Sequence, residues 1–170
     1  MSRLTDERNI ILIGMCGVGK STVGVLLAKE TRREFLDTDV LIQVRDGRGL
    51  QEIIDSEGLI GFCRIEEEAI LALDVRSHVI ATGGSVVYSV SATGRLKDTG
   101  PVVYLELPFD VLARRVANLA TRGVVIAEGQ TLRDIYEERR PLYETWADVT
   151  VNCADKTQDE IVMEIIRAIG

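Results

Sequence analysis

The sequence is poor in the residues that build staples and metal centres. It has three cysteines (Cys16, Cys63, Cys153) and one histidine (His78), all far apart along 170 residues. That spacing excludes a disulfide framework and a Cys/His metal cluster, and it points to the reducing cytoplasm. Three prolines, no internal repeat and no Pro/Gly/Ser-rich stretch leave no linker between domains. There is no Lys/Arg-rich run, and the formal net charge is −7. Nucleic-acid binders draw affinity from neutralising phosphates, so that partner is disfavoured. The early apolar run, residues 10–13, is too short for a leader's core or a membrane span. What remains is an ordinary globular mix, 46% hydrophobic and 28% charged. The length suits one buried core and is short for two, so residues 1–170 read as a single soluble domain, expected to be a monomer.

Strand-like and helix-like segments alternate, which predicts an α/β fold with a parallel sheet. Residues 9–13 read as a strand, apolar throughout as a sheet covered on both faces requires. Residues 20–31 read as a helix, 34–37 as a second strand, and 40–75 as two or three helices. Further strands are expected at 78–82, 101–105 and 149–151, which makes five. Pro108 opens a helix running to about residue 117. Residues 117–130, small and polar in places, read as a lid. Residues 131–147 read as helical despite Pro141. Thr157 and Glu160 form a capping-box signature ahead of a closing amphipathic helix at 161–169.

Residues 14–21, Gly-Met-Cys-Gly-Val-Gly-Lys-Ser, fit G-x-x-x-x-G-K-[ST] without a mismatch, between an apolar strand and a helix. The chemistry needs these residue types. Gly14, Gly17 and Gly19 let backbone N–H groups, Val18's among them, turn toward a phosphate chain. The helix that follows, with Thr22 in its first turn, adds its positive end. Lys20 can reach the β- and γ-phosphates, and Ser21 offers a hydroxyl to Mg²⁺. ATP and Mg²⁺ are therefore the expected cofactors. Cys16, inside the loop, reads as a small filler, because no histidine is near to activate it.

Ligands of open parallel sheets sit at the carboxyl ends of strands. The second strand ends in Asp37-Thr38-Asp39. One carboxylate could hold Mg²⁺ and the other could orient an acceptor hydroxyl. The competing reading is a solvated turn with Asp39 as the helix cap. Gly83-Gly84-Ser85 ends the third strand, where glycines permit close approach of a ligand. Arg122 in the lid and Arg139 and Arg140 in the next helix are candidates to neutralise a transferring phosphoryl group.

The ordered set of motifs resembles the shikimate kinase family. The resemblance rests on residues 14–22, Phe35-Leu36-Asp37-Thr38-Asp39, Gly47-Arg48-Gly49 and Phe62-x-Arg64-Ile65-Glu66-Glu67. It continues through Ile80-Ala81-Thr82-Gly83-Gly84, residues 100–105 and Glu138-Arg139-Arg140-Pro141-Leu142-Tyr143. It implies a P-loop kinase: three α/β/α layers, a five-stranded parallel sheet, a lid at about 117–130 and an acceptor-binding helical region at about 38–66. By the same resemblance Asp37 attends Mg²⁺, Asp39 contacts the acceptor hydroxyls, and Glu66 supports the acceptor region. Arg139 grips the acceptor carboxylate, Arg122 reaches the phosphates, and Arg115 lies near adenine.

Three positions depart from the family pattern. Cys63 stands where an arginine normally pairs with the acceptor carboxylate, Ser85 replaces a third glycine, and Gly123-Val124-Val125 follows Arg122 in place of Pro-Leu-Leu. Losing one arm of a carboxylate clamp costs about 1.5–3 kcal/mol. Arg64 is a poor substitute, since adjacent helical side chains point about 100° apart. The nucleotide half is kept and the acceptor half altered. Two acceptors therefore stand side by side, shikimate and the smaller homoserine, whose ammonium would disfavour a second arginine. A nucleotide-binding regulator without kinase activity is the alternative from another class.

Overall fold

The computed structural model describes residues 7–118 and 129–170. Five parallel strands form one sheet: β1 (Ile10–Ile13), β2 (Glu34–Asp37), β3 (His78–Ala81), β4 (Val102–Glu106) and β5 (Val149–Asn152), in the order β2-β3-β1-β4-β5. The helices are α1 (Lys20–Thr31), α2 (Thr38–Asp46), α3 (Leu50–Leu71), α4 (Val90–Lys97), α5 (Phe109–Asn118), α6 (Leu132–Trp146) and α7 (Gln158–Ile169). All four residues of β1 are buried, as its unbroken apolar run requires of a central strand. Helix α1 lies on β1 and β3 and against α7, while α6 packs on β4 and α5. Tyr104 on β4 and Tyr143 on α6 stack inside the core with ring centres 5.1 Å apart. A smaller cluster, Ile42, Ile53, Phe62 and Ala69, joins α2 to α3.

Register positions the site. Ala81 of β3 pairs with Leu12 of β1 on one side and with Asp37 of β2 on the other. The chain two residues beyond Ala81 therefore leaves the sheet between the loop after β1 and the acidic end of β2. That is the crevice where parallel sheets bind ligands.

The structure adds detail at three places. Residues 86–97, where the sequence pattern marks no element, form a 3₁₀ turn (Val86–Tyr88) and α4, whose start Ser89 caps by accepting from the Ala92 amide. The helix after Pro108 runs to residue 118, and of the lid expected at about 117–130, residues 119–128 lie outside the described ones. In line with the two or three helices expected over residues 40–75, the 22-residue α3 is itself two helices joined at Gly58, whose φ of 71° and ψ of 178° break the helix. Pro141 is tolerated inside α6, as expected.

The predicted capping box is present: Thr157 Oγ1 accepts from the Glu160 amide at 3.2 Å, and Glu160 Oε2 accepts from the Thr157 amide at 2.7 Å. It starts the helix that braces α1. Thr157→Ala is expected to cost about 1 kcal/mol of stability, read as a lower urea midpoint at unchanged slope, and to leave catalytic turnover unchanged.

Candidate functional site

Gly14, Gly17 and Gly19 all have positive φ, at 145°, 87° and 101°. At Gly14 a Cβ would also lie 2.6 Å from the Leu105 carbonyl oxygen, so two independent reasons require glycine there. Gly19 is the N-cap of α1 and makes no side-chain cap, which leaves the first amides of α1 for a ligand. Lys20 is buried. Its ammonium donates to the carbonyls of Gly14 at 2.7 Å and Met15 at 2.8 Å. Burial pulls its pKa below the ordinary lysine value, opposed by Cys16, Asp39 and Asp37. The structure thus brings together the loop residues singled out in the sequence. Arg115, at the end of α5, reaches the same loop by donating to the Val18 carbonyl at 3.3 Å.

The two acids of β2 separate by role. Asp37, not Asp39, is the cap: its Oδ1 accepts from the Asp39 amide at 2.9 Å and the Val40 amide at 3.3 Å. Its Oδ2 takes the Ser21 hydroxyl at 2.6 Å. A hydroxyl and a carboxylate side by side at the P-loop suit Mg²⁺, which binds through one or two protein oxygens and keeps the rest for water and phosphates. Asp39 points elsewhere. Burial and the neighbouring Asp37 raise its pKa, and Lys20 opposes them.

Asp39 meets Glu66 across Gly83. A Cβ on Gly83 would lie 2.8 Å from Asp39 Oδ1 and 2.7 Å from Glu66 Oε2, so both carboxyl groups face one point. Thr38, fully buried, accepts from the Gly83 amide at 3.2 Å and fixes that point. Ser85 donates to Glu66 Oε1 at 2.8 Å, which gives the departure from glycine a structural task. Glu66 is 2% exposed, and among the described residues its Oε2 has no hydrogen-bond partner. Burial lifts its pKa to about 7, helped by Asp39 and opposed by Ser85, Arg139 and Lys20.

Arg139 is buried at the opposite wall. A Cβ on Gly84 would lie 2.8 Å from its Nη1. Tyr143 donates to the Gly84 carbonyl at 2.6 Å, and both Tyr143 and Tyr88 hydrogen-bond Arg139. Arg139 and Cys63 line a cavity of about 280 Å³ together with Leu59, Ile60, Tyr88, Gln130 and Glu138. Burial pushes the Cys63 thiol up from its ordinary range, as does Glu66 one turn along α3. Arg64 is exposed and does not stand in for Cys63. Arg140 faces away, toward Glu144 and Glu106. Arg122 lies outside the described residues. Sequence reasoning missed Thr38 and Tyr88. The stretch after Gly84 carries no periodic signal that singles out Tyr88.

A family model described as shikimate kinase matches residues 16–170. A shikimate kinase of Alteromonas mediterranea is 38% identical over 170 residues, covering 98% of this chain and 99% of its own. One of Caldanaerobacter subterraneus subsp. tengcongensis is 35% identical over 164 residues, with 95% of each chain covered. The structure of shikimate kinase from Acinetobacter baumannii in complex with shikimate superposes with a TM-score of 0.88 at 33% identity, over 96% of this chain and 93% of that one.

The raised Glu66 pKa has a definite sign in stability. An unfolded glutamate gives up its proton near 4.5 while the folded one keeps it to about 7. Between those values the folded state binds more protons, so this contribution to stability is complete below pH 4.5 and lost as pH rises through 7. The loss is on the order of 3 kcal/mol. Glu66→Gln is expected to flatten that stretch of the urea-midpoint profile between pH 4.5 and 7.5, and identical profiles for the two proteins would contradict the assignment.

Proposed function

The chain belongs to the shikimate kinase family, a small-molecule kinase that moves phosphate to an alcohol, and we propose that its acceptor is shikimate and its donor MgATP. The reading of a non-catalytic regulator gives way to that membership. The single observation that carries the acceptor half is the arrangement around Gly83 and Gly84: paired carboxyl groups at one glycine, a buried guanidinium at the next. A hydroxylated ring bearing a carboxylate presents the complementary groups. The Acinetobacter baumannii relative, solved with shikimate, supports the choice.

The residues divide the work as follows. The P-loop amides and Lys20 hold the triphosphate and stabilise charge that spreads over the transferring phosphoryl group. Ser21 and Asp37 would hold Mg²⁺, which would supply charge neutralisation at the phosphate oxygens. Asp39 aligns the attacking hydroxyl and accepts its proton, and burial with the neighbouring Asp37 makes it a stronger base than an ordinary carboxylate. Arg139 takes the acceptor carboxylate by charge-assisted hydrogen bonds. Gly83, Gly84 and Ser85 form the floor between them. Arg115, seated against Val18, is assigned to the adenine side.

One observation favours homoserine as a second reading. Glu66 Oε2 is a buried acceptor atom without a donor, and Cys63 adds no cation to the cavity. An ammonium on the acceptor would supply N–H donors and a counter-charge to Glu66, while the carboxylate engages Arg139. The two acceptors then differ in proton linkage. Shikimate, which brings only negative charge, is expected to bind more weakly as pH rises through about 7 and Glu66 ionises. A zwitterion is expected to bind more tightly over the same interval.

An ADP-release assay with purified protein, ATP and Mg²⁺ decides. Turnover of shikimate in clear excess over homoserine is expected, and the reverse ranking would move the assignment to the amino acid. Asp39→Asn is expected to lower kcat at least 100-fold while the KM for ATP stays within about threefold. An unchanged kcat would remove Asp39 from its role.

A further inference from the structure

We infer that Tyr88 is the positioning residue of the acceptor-carboxylate site, holding Arg139 by its Nε so that the acceptor meets the terminal nitrogens of the guanidinium. The inference rests on the reading that Arg139 grips the acceptor's carboxylate. Tyr88 closes the 3₁₀ turn that follows Gly83-Gly84-Ser85, so it joins the acceptor glycines to α6. Its hydroxyl oxygen accepts from Arg139 Nε at 3.2 Å, and its proton goes to Glu138 Oε1 in a short hydrogen bond. Glu138 is held in turn by Gln130, whose amide donates to Oε2 at 3.3 Å. The phenol therefore has one orientation, with a lone pair on Arg139 and the hydrogen on the carboxylate.

The ring contributes as well. The Arg139 guanidinium carbon lies 5.2 Å from the Tyr88 ring centre, within cation–π range. Tyr88 lines the 280 Å³ cavity beside Cys63 and Arg139.

The consequence for recognition is geometric. A guanidinium can grip a carboxylate along its Nε edge or through its two terminal nitrogens. Nε has a single hydrogen, and Tyr88 takes it. Gly84, whose missing Cβ leaves room for Nη1, marks the terminal side as the one that faces the acceptor. With Cys63 carrying no charge to a second grip, the carboxylate's orientation depends on how firmly this one arginine is aimed. Tyr143 also hydrogen-bonds Arg139 and is core. Tyr88, which takes Nε, is 37% exposed at the cavity and can be altered with little loss of packing.

Tyr88→Phe keeps the ring and removes only the hydroxyl. It is expected to raise the acceptor KM about tenfold, with kcat and the KM for ATP within twofold of wild type. The penalty is expected to vanish when the acceptor is offered as its carboxamide, because the aimed contact is to the carboxylate. An unchanged acceptor KM in Tyr88→Phe would overturn the inference. So would an equal penalty on the carboxamide, or a matching rise in the KM for ATP, since either describes a general structural effect. The wild type is assayed first with shikimate and homoserine. Turnover of neither sinks the functional reading itself, whereas turnover of one with no Tyr88→Phe effect sinks this inference alone. Thermal unfolding of each variant separates a lost fold from a lost grip.

Discussion

Burying the ammonium of Lys20 is costly, and two carbonyl oxygens of its own loop, Gly14 and Met15, compensate it. Carbonyls carry only partial charge, so the compensation is incomplete and burial pulls the lysine's pKa down. The first turn of α1, without a side-chain cap, adds unpaired amides at the same place. The hollow is thus positive and short of negative partners, which is the state in which it binds a polyanion most favourably. The parallel sheet makes the arrangement possible. An entirely buried β1 delivers the loop to the edge of the core, and β4 crowds it so closely that Gly14 can carry no side chain.

The acceptor side carries the opposite imbalance. Asp37 spends its oxygens on Ser21 and the start of α2, but Asp39 and Glu66 face each other across Gly83. One guanidinium, Arg139, faces them from α6. Two carboxyl groups are thus set against one guanidinium, and burial, helped by Asp39, raises the pKa of Glu66. Whether the acceptor supplies a hydroxyl or an ammonium at Glu66 is a question of proton linkage. Cys63 matters here by bringing no charge to the cavity that Arg139 lines.

Much of this was legible in the sequence because it is local. The P-loop is a contiguous run with its strand and helix attached, and α1 occupies the residues the pattern assigned to it. Strands β1, β3 and β4 announce themselves by unbroken apolar runs. What escaped is set by contacts between distant segments. Helix α4 is short and follows turn-like residues, so its sequence resembles a loop, and it packs against α3 as a helix. Asp37 and Asp39 are interchangeable by spacing, and only the direction in which β2 enters α2 decides which one caps. Tyr88 gains its part from Arg139 and Glu138, some fifty residues away.

The central claim is that the Lys20 ammonium leaves its own loop for a bound triphosphate. A crystal structure of the chain with a non-hydrolysable ATP analogue and Mg²⁺ tests it most directly. The account predicts phosphate oxygens inside the loop of residues 14–21, with Lys20 Nζ moved onto β- and γ-phosphate oxygens and away from the Gly14 and Met15 carbonyls. A bound analogue whose phosphates lie outside the loop, with Lys20 still on those two carbonyls, would contradict it.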